Sequence, residues 1–337
     1  MNEASADPIL AVRGLTTVID GEAGPMTVVD GMSFDLSAGE TLCIVGESGC
    51  GKSMLALSVL RLFPNPPVRL ESGSATFRGQ DLLRLSDEDL REIRGDRLSM
   101  IFQEPMTALN PVMNIGKQIG EVLRRHRKMR SSQVKEKATE LLAKVRIPDP
   151  ERRLHDYPHQ LSGGMRQRAM IAMALACDPE VLIADEPTTA LDVTIQAQIL
   201  HLIRELQRDT NAATILITHN LGVVAEMADR VLVMYAGNKV EEAPVDELFD
   251  RPAHPYTSGL LASMPHPRNG DEAPDKLAEI PGAVPPLDAM PPGCRFAPRC
   301  AFATEKCSAQ APPLDEAGPG HVVACWEWHR VVREGDA

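Results

Sequence analysis

The run GESGCGKS over residues 46–53 fits G-x-x-x-x-G-K-[S/T] and lies between the apolar stretch TLCIVG and a stretch of helical character. Residues of these types at this spacing bind phosphate. Gly46, Gly49 and Gly51 permit a tight loop whose N–H groups point inward, and a following helix adds the partial positive charge of its N-terminus. The candidate nucleotide-binding residues are Gly46, Glu47, Ser48, Gly49, Cys50, Gly51, Lys52 and Ser53. Lys52 is placed to reach the terminal phosphates and the Ser53 hydroxyl to ligate Mg²⁺. Cys50 occupies a free position, and its thiol has no assigned part.

A second stretch, VLIADEP over 181–187, is an apolar strand ending in two acids. A carboxylate at the carboxyl end of a parallel strand stands at the ligand edge of the sheet. Asp185 is expected to hold Mg²⁺ through water, and Glu186 to polarise an attacking water in phosphoryl transfer. The local alternative is a buried strand with a capping acid.

The tail holds Cys294, Cys300, Cys307 and Cys325 at spacing C-x5-C-x6-C-x17-C. Tight C-x2–4-C pairs, the usual mark of zinc, are absent from this spacing. A [4Fe–4S] cluster is the first reading, with zinc and uncoordinated thiols as alternatives. The chain is 4% aromatic, yet Phe296, Phe302, Trp326 and Trp328 all fall in the same module as these cysteines, as an apolar shell around a cluster requires. Cys43 and Cys177 read as small core residues.

The elements that must position these groups follow from hydrophobic patterning. Strands are expected at 41–46, 98–103, 180–185, 213–218 and 230–235, and helices at 52–62, 163–176, 195–209 and 221–228. Such alternation predicts an α/β fold with a mainly parallel sheet core. Between Asn114 and Pro158 only helical periods occur, so a helical subdomain is expected over about 104–178. The expected organisation is a P-loop nucleotide-binding domain over 1–263, a proline-rich linker over 264–292, and a small cysteine-containing C-terminal module over 293–337.

The net charge of −12 excludes a global attraction for nucleic acid or anionic lipid. The first residues, MNEASADPILAVRG, read as no export signal, and no apolar run is long enough to cross a membrane. A reducing compartment is therefore expected, where structural disulfides are rare. The basic run RRHRKMR over 124–130 reads first as a solvated helix face, with contact to membrane-protein loops or lipid headgroups as the alternative.

Six ordered motifs place the chain beside a known family: the P-loop, Gln103 in FQEP, LSGGMRQR over 161–168, VLIADEP, TALD over 189–192, and THN around His219. In this order they resemble the nucleotide-binding subunits of ABC ATPases, over roughly residues 8–260. The resemblance implies two subunits packed head to tail, with Ser162, Gly163 and Gly164 of one covering the γ-phosphate held by the other. It also implies that Gln103 contacts Mg²⁺ or the attacking water and reports occupancy to a transmembrane partner. His219 would touch the γ-phosphate, and Asp192 would work across the dimer interface. The candidate catalytic residues are then Glu186, His219 and Gln103. One departure is visible: the family stacks adenine on an early aromatic residue, and here that position is Val18 or Ile19.

HPYTSGLL over 254–261, the proline-rich arm, GCRFAPRC and ACW resemble the C-terminal region of ATP-binding subunits of oligopeptide/dipeptide importers. This implies an ATPase lying peripherally on the cytoplasmic face of the membrane, with ATP and Mg²⁺ as cofactors beside the [4Fe–4S] cluster read from the cysteines. The implied partners are two transmembrane permeases, a second ATP-binding subunit and, indirectly, an extracytoplasmic solute-binding protein, with no nucleic acid. The alternative is a soluble ABC ATPase of the repair or translation type. Against it, Lys52 and Ser162 lie too close for a long coiled coil between them, and only one cassette is present.

Overall fold

The computed structural model describes residues 7–22, 24–188, 192–264 and 279–335. It divides into two compact units. The described strands are β1 (Leu10–Gly21), β2 (Gly24–Leu36), β3 (Thr41–Val45), β4 (Val68–Phe77), β5 (Gln80–Asp81), β6 (Leu98–Ile101), β7 (Val181–Asp185), β8 (Ala213–Ile217), β9 (Arg230–Tyr235), β10 (Asn238–Pro244), β11 (Asp315–Gly318) and β12 (His321–Val323).

One unit contains residues 76–217 with two short earlier segments. Its strands β6, β7 and β8 run parallel, in the register Leu98↔Val181 and Val181↔Ala213. Every residue of β6, β7 and β8 is buried, which explains their unbroken apolar runs. Helices Ile115–Arg127, Ser131–Lys144 and Pro150–Arg153 fill the stretch expected to be helical. The first starts at Asn114, whose side chain accepts the Lys117 N–H at 2.9 Å, and buries Ile115, Ile119 and Leu123 on one face. Its last turn carries Arg124 to Arg127, favourably placed against the helix dipole. Two of these arginines are engaged, Arg125 with Glu92 at 2.9 Å and Arg127 with Asp96 at 2.5 Å, so the basic run is in part an internal ion-pair face.

The other unit contains residues 11–34, 42–75 and 218–337. Here β1 lies between β2 and β4 in one sheet. In the second series β3 pairs in parallel with β9, Cys43 opposite Val231. Strand β9 turns into β10 through Ala236 and Gly237, both at positive φ (45° and 88°). Two such residues make the tight turn whose twist matches antiparallel strands. Strand β10 then pairs antiparallel with β12, and β12 with β11.

The expectation of a mainly parallel sheet therefore holds for β6–β7–β8 and for β3–β9, while the β10–β12–β11 extension is antiparallel. The two strands of the tail continue the sheet of the unit that holds the P-loop. Cys43 and Cys177 are fully buried, and burial pushes both thiols up, Cys177 to about 11.

Candidate functional site

The phosphate half of the site is built on β3 and the helix Lys52–Val59. Gly46 and Gly51 stand at φ 154° and 100°, and a Cβ there would overlap the carbonyls of Met234 and Val28 respectively. Only glycine lets the loop pass so close to its own sheet. The helix opens at Gly51 with no side-chain cap and no acid in its first turn. In contrast, Asn114, Ser162, Asp192 and Asn220 each cap a helix with a side chain. An uncapped helix start leaves N–H donors for an anion. Lys52 is 5% exposed, and its ammonium donates to the carbonyls of Gly46 (2.8 Å) and Glu47 (2.9 Å). Ser53 occupies the first turn of the same helix.

Two P-loop residues have further partners that spacing alone does not reveal. The Glu47 N–H donates to the Tyr256 hydroxyl at 2.7 Å, and the Glu47 carboxylate receives a two-pronged guanidinium from Arg299 at 2.6 and 3.0 Å. Tyr256 and Arg299 lie 209 and 252 residues away along the chain. Cys50 is buried, its carbonyl accepts from the Gly237 N–H at 2.9 Å, and burial pushes its thiol up. Its sulfur accepts from the Lys52 ammonium at 3.7 Å.

His219 follows β8 and is exposed, just before the helix Leu221–Met227 that Asn220 caps. Of the two positions considered for adenine, Val18 is 4% exposed in the core, while Ile19 is half-buried.

The hydrolytic candidates belong to the other unit. Asp185 ends β7 and is 3% exposed. Glu186 follows at φ 43°, a left-handed conformation that side chains rarely adopt, held by its N–H to the Ile217 carbonyl at 2.9 Å. The Gln103 amide donates to the Glu186 carboxylate at 3.1 Å. Sequence placed these two apart by 83 positions, and the fold brings them together.

Ser162 caps the helix Gly163–Ala174, accepting the Met165 N–H at 3.3 Å. Gly164 packs near Ile195, whereas a Cβ at Gly163 would meet nothing within 4 Å. Nothing among the described residues requires glycine at 163. Asp192 caps the helix Val193–Thr210, accepting the Ile195 N–H at 2.9 Å. Thr189, Ala190 and Leu191 of the TALD motif lie outside the described residues.

The four tail thiols converge. Cys294, Cys300, Cys307 and Cys325 line one pocket together with His254, Phe296, Phe302 and Trp326. None is in a disulfide. Burial raises Cys294, and lifts Cys300 to about 11 and Cys325 to about 12, with like charge from neighbouring thiols adding to each. Among the described residues no three His, Cys, Asp or Glu side chains are gathered around a single-ion position. His254 is fully buried, accepts the Tyr256 N–H on Nδ1 at 3.0 Å, and is lowered to about 4 by burial.

Residues 29–189 match the family model described as ABC transporter, and residues 240–307 match the one described as oligopeptide/dipeptide transporter, C-terminal region. A dimeric bacterial ABC transporter cassette superposes with a TM-score of 0.63 at 26% identity, covering 70% of this chain and 98% of that one. A probable peptide ABC transporter ATP-binding protein of Sinorhizobium fredii is 54% identical, with 97% of each chain covered. The dipeptide transport ATP-binding protein of Bacillus subtilis is 50% identical, with 98% of this chain and 99% of that one covered. Similarity of this order over the whole length makes the chain a member of the family of ATP-binding subunits of peptide ABC transporters.

Proposed function

We propose that the chain hydrolyses ATP to power import of di- or oligopeptides, lying peripherally at the cytoplasmic face of the membrane. The observation that carries the reading is the coexistence of two matched regions: an ABC cassette with its P-loop intact, and the C-terminal region of oligopeptide/dipeptide transporters. No helix among the described residues is long and apolar enough to cross a membrane, so translocation falls to partners. These are two permease subunits, a second ATP-binding subunit, and an extracytoplasmic binding protein that supplies the cargo.

In this reading the P-loop N–H groups and Lys52 hold the phosphates, and Lys52 exchanges its present carbonyl partners for phosphate oxygens. Ser53 and Asp185 offer the hard oxygen donors that suit Mg²⁺, which neutralises phosphate charge when bound. Glu186 orients and deprotonates the attacking water, and Gln103, already bonded to it, senses the same water. His219 addresses the γ-phosphate. Ser162, Gly163, Gly164 and Asp192 act on the nucleotide of a second subunit, a reading that the open space at Gly163 supports.

The organisation proposed is a nucleotide-binding domain to residue 263, a linker to 292, and a cysteine module beyond. Four thiols lining one aromatic-walled pocket support the reading of a [4Fe–4S] cluster, with zinc as the alternative. Bound there, a cluster would cross-link four points of the tail. The test of the transport reading is reconstitution with the permeases and partner subunit in proteoliposomes. Peptide-loaded binding protein should stimulate ATP hydrolysis and peptide uptake together. Stimulation by a sugar-loaded protein alone would overturn the cargo, and ATPase activity indifferent to every loaded binding protein would overturn import.

A further inference from the structure

Glu47, the first variable residue of the P-loop, is held at all three of its polar groups. Its N–H goes to the Tyr256 hydroxyl at 2.7 Å, its carbonyl accepts from Lys52 at 2.9 Å, and its carboxylate forks with Arg299. The Arg299 side chain is 4% exposed and that of Glu47 29%. Beyond the fork, Arg299 donates through Nε to the Pro281 carbonyl at 2.8 Å and through Nη2 to the Ile280 carbonyl at 3.2 Å. Its Nη1 also lies 3.4 Å from the Tyr235 hydroxyl. Each of the five N–H donors of this guanidinium thus has an acceptor. A side chain with every donor engaged and almost no water contact is fixed in place.

Arg299 rides on the turn Ala297–Arg299 between two of the pocket thiols. The Ala297 N–H donates to the Cys294 carbonyl at 3.0 Å, and the Cys300 N–H to the Ala297 carbonyl at 3.3 Å. The turn that carries the guanidinium is thus hydrogen-bonded to the backbone of two of the pocket cysteines.

We propose that Arg299 is a positioning residue for nucleotide binding, which couples the order of the cysteine tail to the affinity of the P-loop for ATP. Two effects combine. The fork pins the entry of the loop, so its N–H groups need no reordering when phosphate arrives. It also neutralises a carboxylate beside an anion site, which would otherwise repel a triphosphate. This inference rests on the P-loop being the nucleotide site.

The test measures binding of a fluorescent ATP analogue with Mg²⁺, and steady-state hydrolysis, on the full-length chain. Arg299→Ala should raise the Kd about tenfold while kcat at saturating ATP stays within about threefold. Adding Glu47→Gln to that variant removes the unpaired carboxylate but not the lost pinning, and should recover about half of the tenfold loss on a logarithmic scale. A Kd for Arg299→Ala within twofold of the unaltered protein would overturn the proposal. So would a double variant no better than Arg299→Ala alone, or a loss confined to kcat. If Arg299→Ala does not fold, Arg299→Lys keeps the charge without the fork; a several-fold rise in Kd supports the proposal and an unchanged Kd overturns it. Lys52→Ala must abolish binding; if it does not, the P-loop reading has failed, not the role of Arg299.

Discussion

The amide of Gln103 and the carboxylate of Glu186 meet at 3.1 Å, with Glu186 fixed at a left-handed φ of 43° immediately after β7. The acid that would activate water is thus oriented by backbone geometry on one side and by the candidate sensor residue on the other. Glu186→Gln keeps the hydrogen-bonding shape and removes the base. Hydrolysis should fall by about 10²–10⁴-fold, the usual contribution of general base catalysis, while ATP binding persists. Single-turnover hydrolysis beside size-exclusion analysis with ATP checks both, and near-normal turnover would remove Glu186 from that role.

Gly163 offers a cleaner test of the composite site than Ser162, because Ser162 also caps its helix. A Cβ at 163 would meet nothing within 4 Å among the described residues. Gly163→Asp should leave stability within about 1 kcal/mol, as surface changes usually do. It should nevertheless prevent ATP-dependent dimerisation of the Glu186→Gln protein. A dimer that forms normally would show that no second subunit approaches this glycine.

Base recognition should be permissive. With Val18 in the core, Ile19 is the residue left for adenine, and an aliphatic side chain lacks the aromatic face on which bases stack. Competition between ATP and GTP should show only a modest preference, and Ile19→Tyr should tighten ATP several-fold. A strong preference for ATP in the unaltered chain would refute this.

Acid should weaken the unit that carries the HPY motif. Burial lowers His254 from its ordinary 6.5 to about 4, with nearby Glu241 opposing the shift. The unfolded chain therefore takes up a proton below pH 6.5 that the folded chain refuses until about pH 4. Stability from this group is complete above pH 6.5 and falls as the pH drops towards 4, by about 3 kcal/mol. Urea melts from pH 7 to 4.5 should lose this slope in His254→Asn, whose side-chain oxygen can still accept the Tyr256 N–H.

Protein purified without oxygen should contain about four iron and four acid-labile sulfide per chain, lost when the four tail cysteines become serine. One zinc and no sulfide would make the tail a zinc staple instead.

The apolar runs of β3, β7, β8 and β9 were legible in the sequence because each is buried throughout or nearly so, and their ends fall within a residue of expectation. β10 was not legible. It carries Lys239, Glu241 and Glu242, and charges argue against a strand until their partners are seen. Glu241 is fully buried because it accepts the Ala253 and His254 N–H groups and meets His321 at 2.7 Å. Those partners are non-local and leave no periodic trace. The same holds at the site: the P-loop could be read from its glycines, whereas the hold of Tyr256 and Arg299 on Glu47 depends on tertiary closure alone.

Strand β12 occupies the side of β10 that β9 leaves open, and β11 covers β12 in turn. A chain shortened before Pro292 would lose Arg299, keep every residue assigned to contact with the nucleotide, and be a hazard to the cell. It would present the bare backbone donors and acceptors of β10 to any passing strand. The tail is thus also a guard against self-association, so loss of solubility on truncation would be no measure of what the cysteines do.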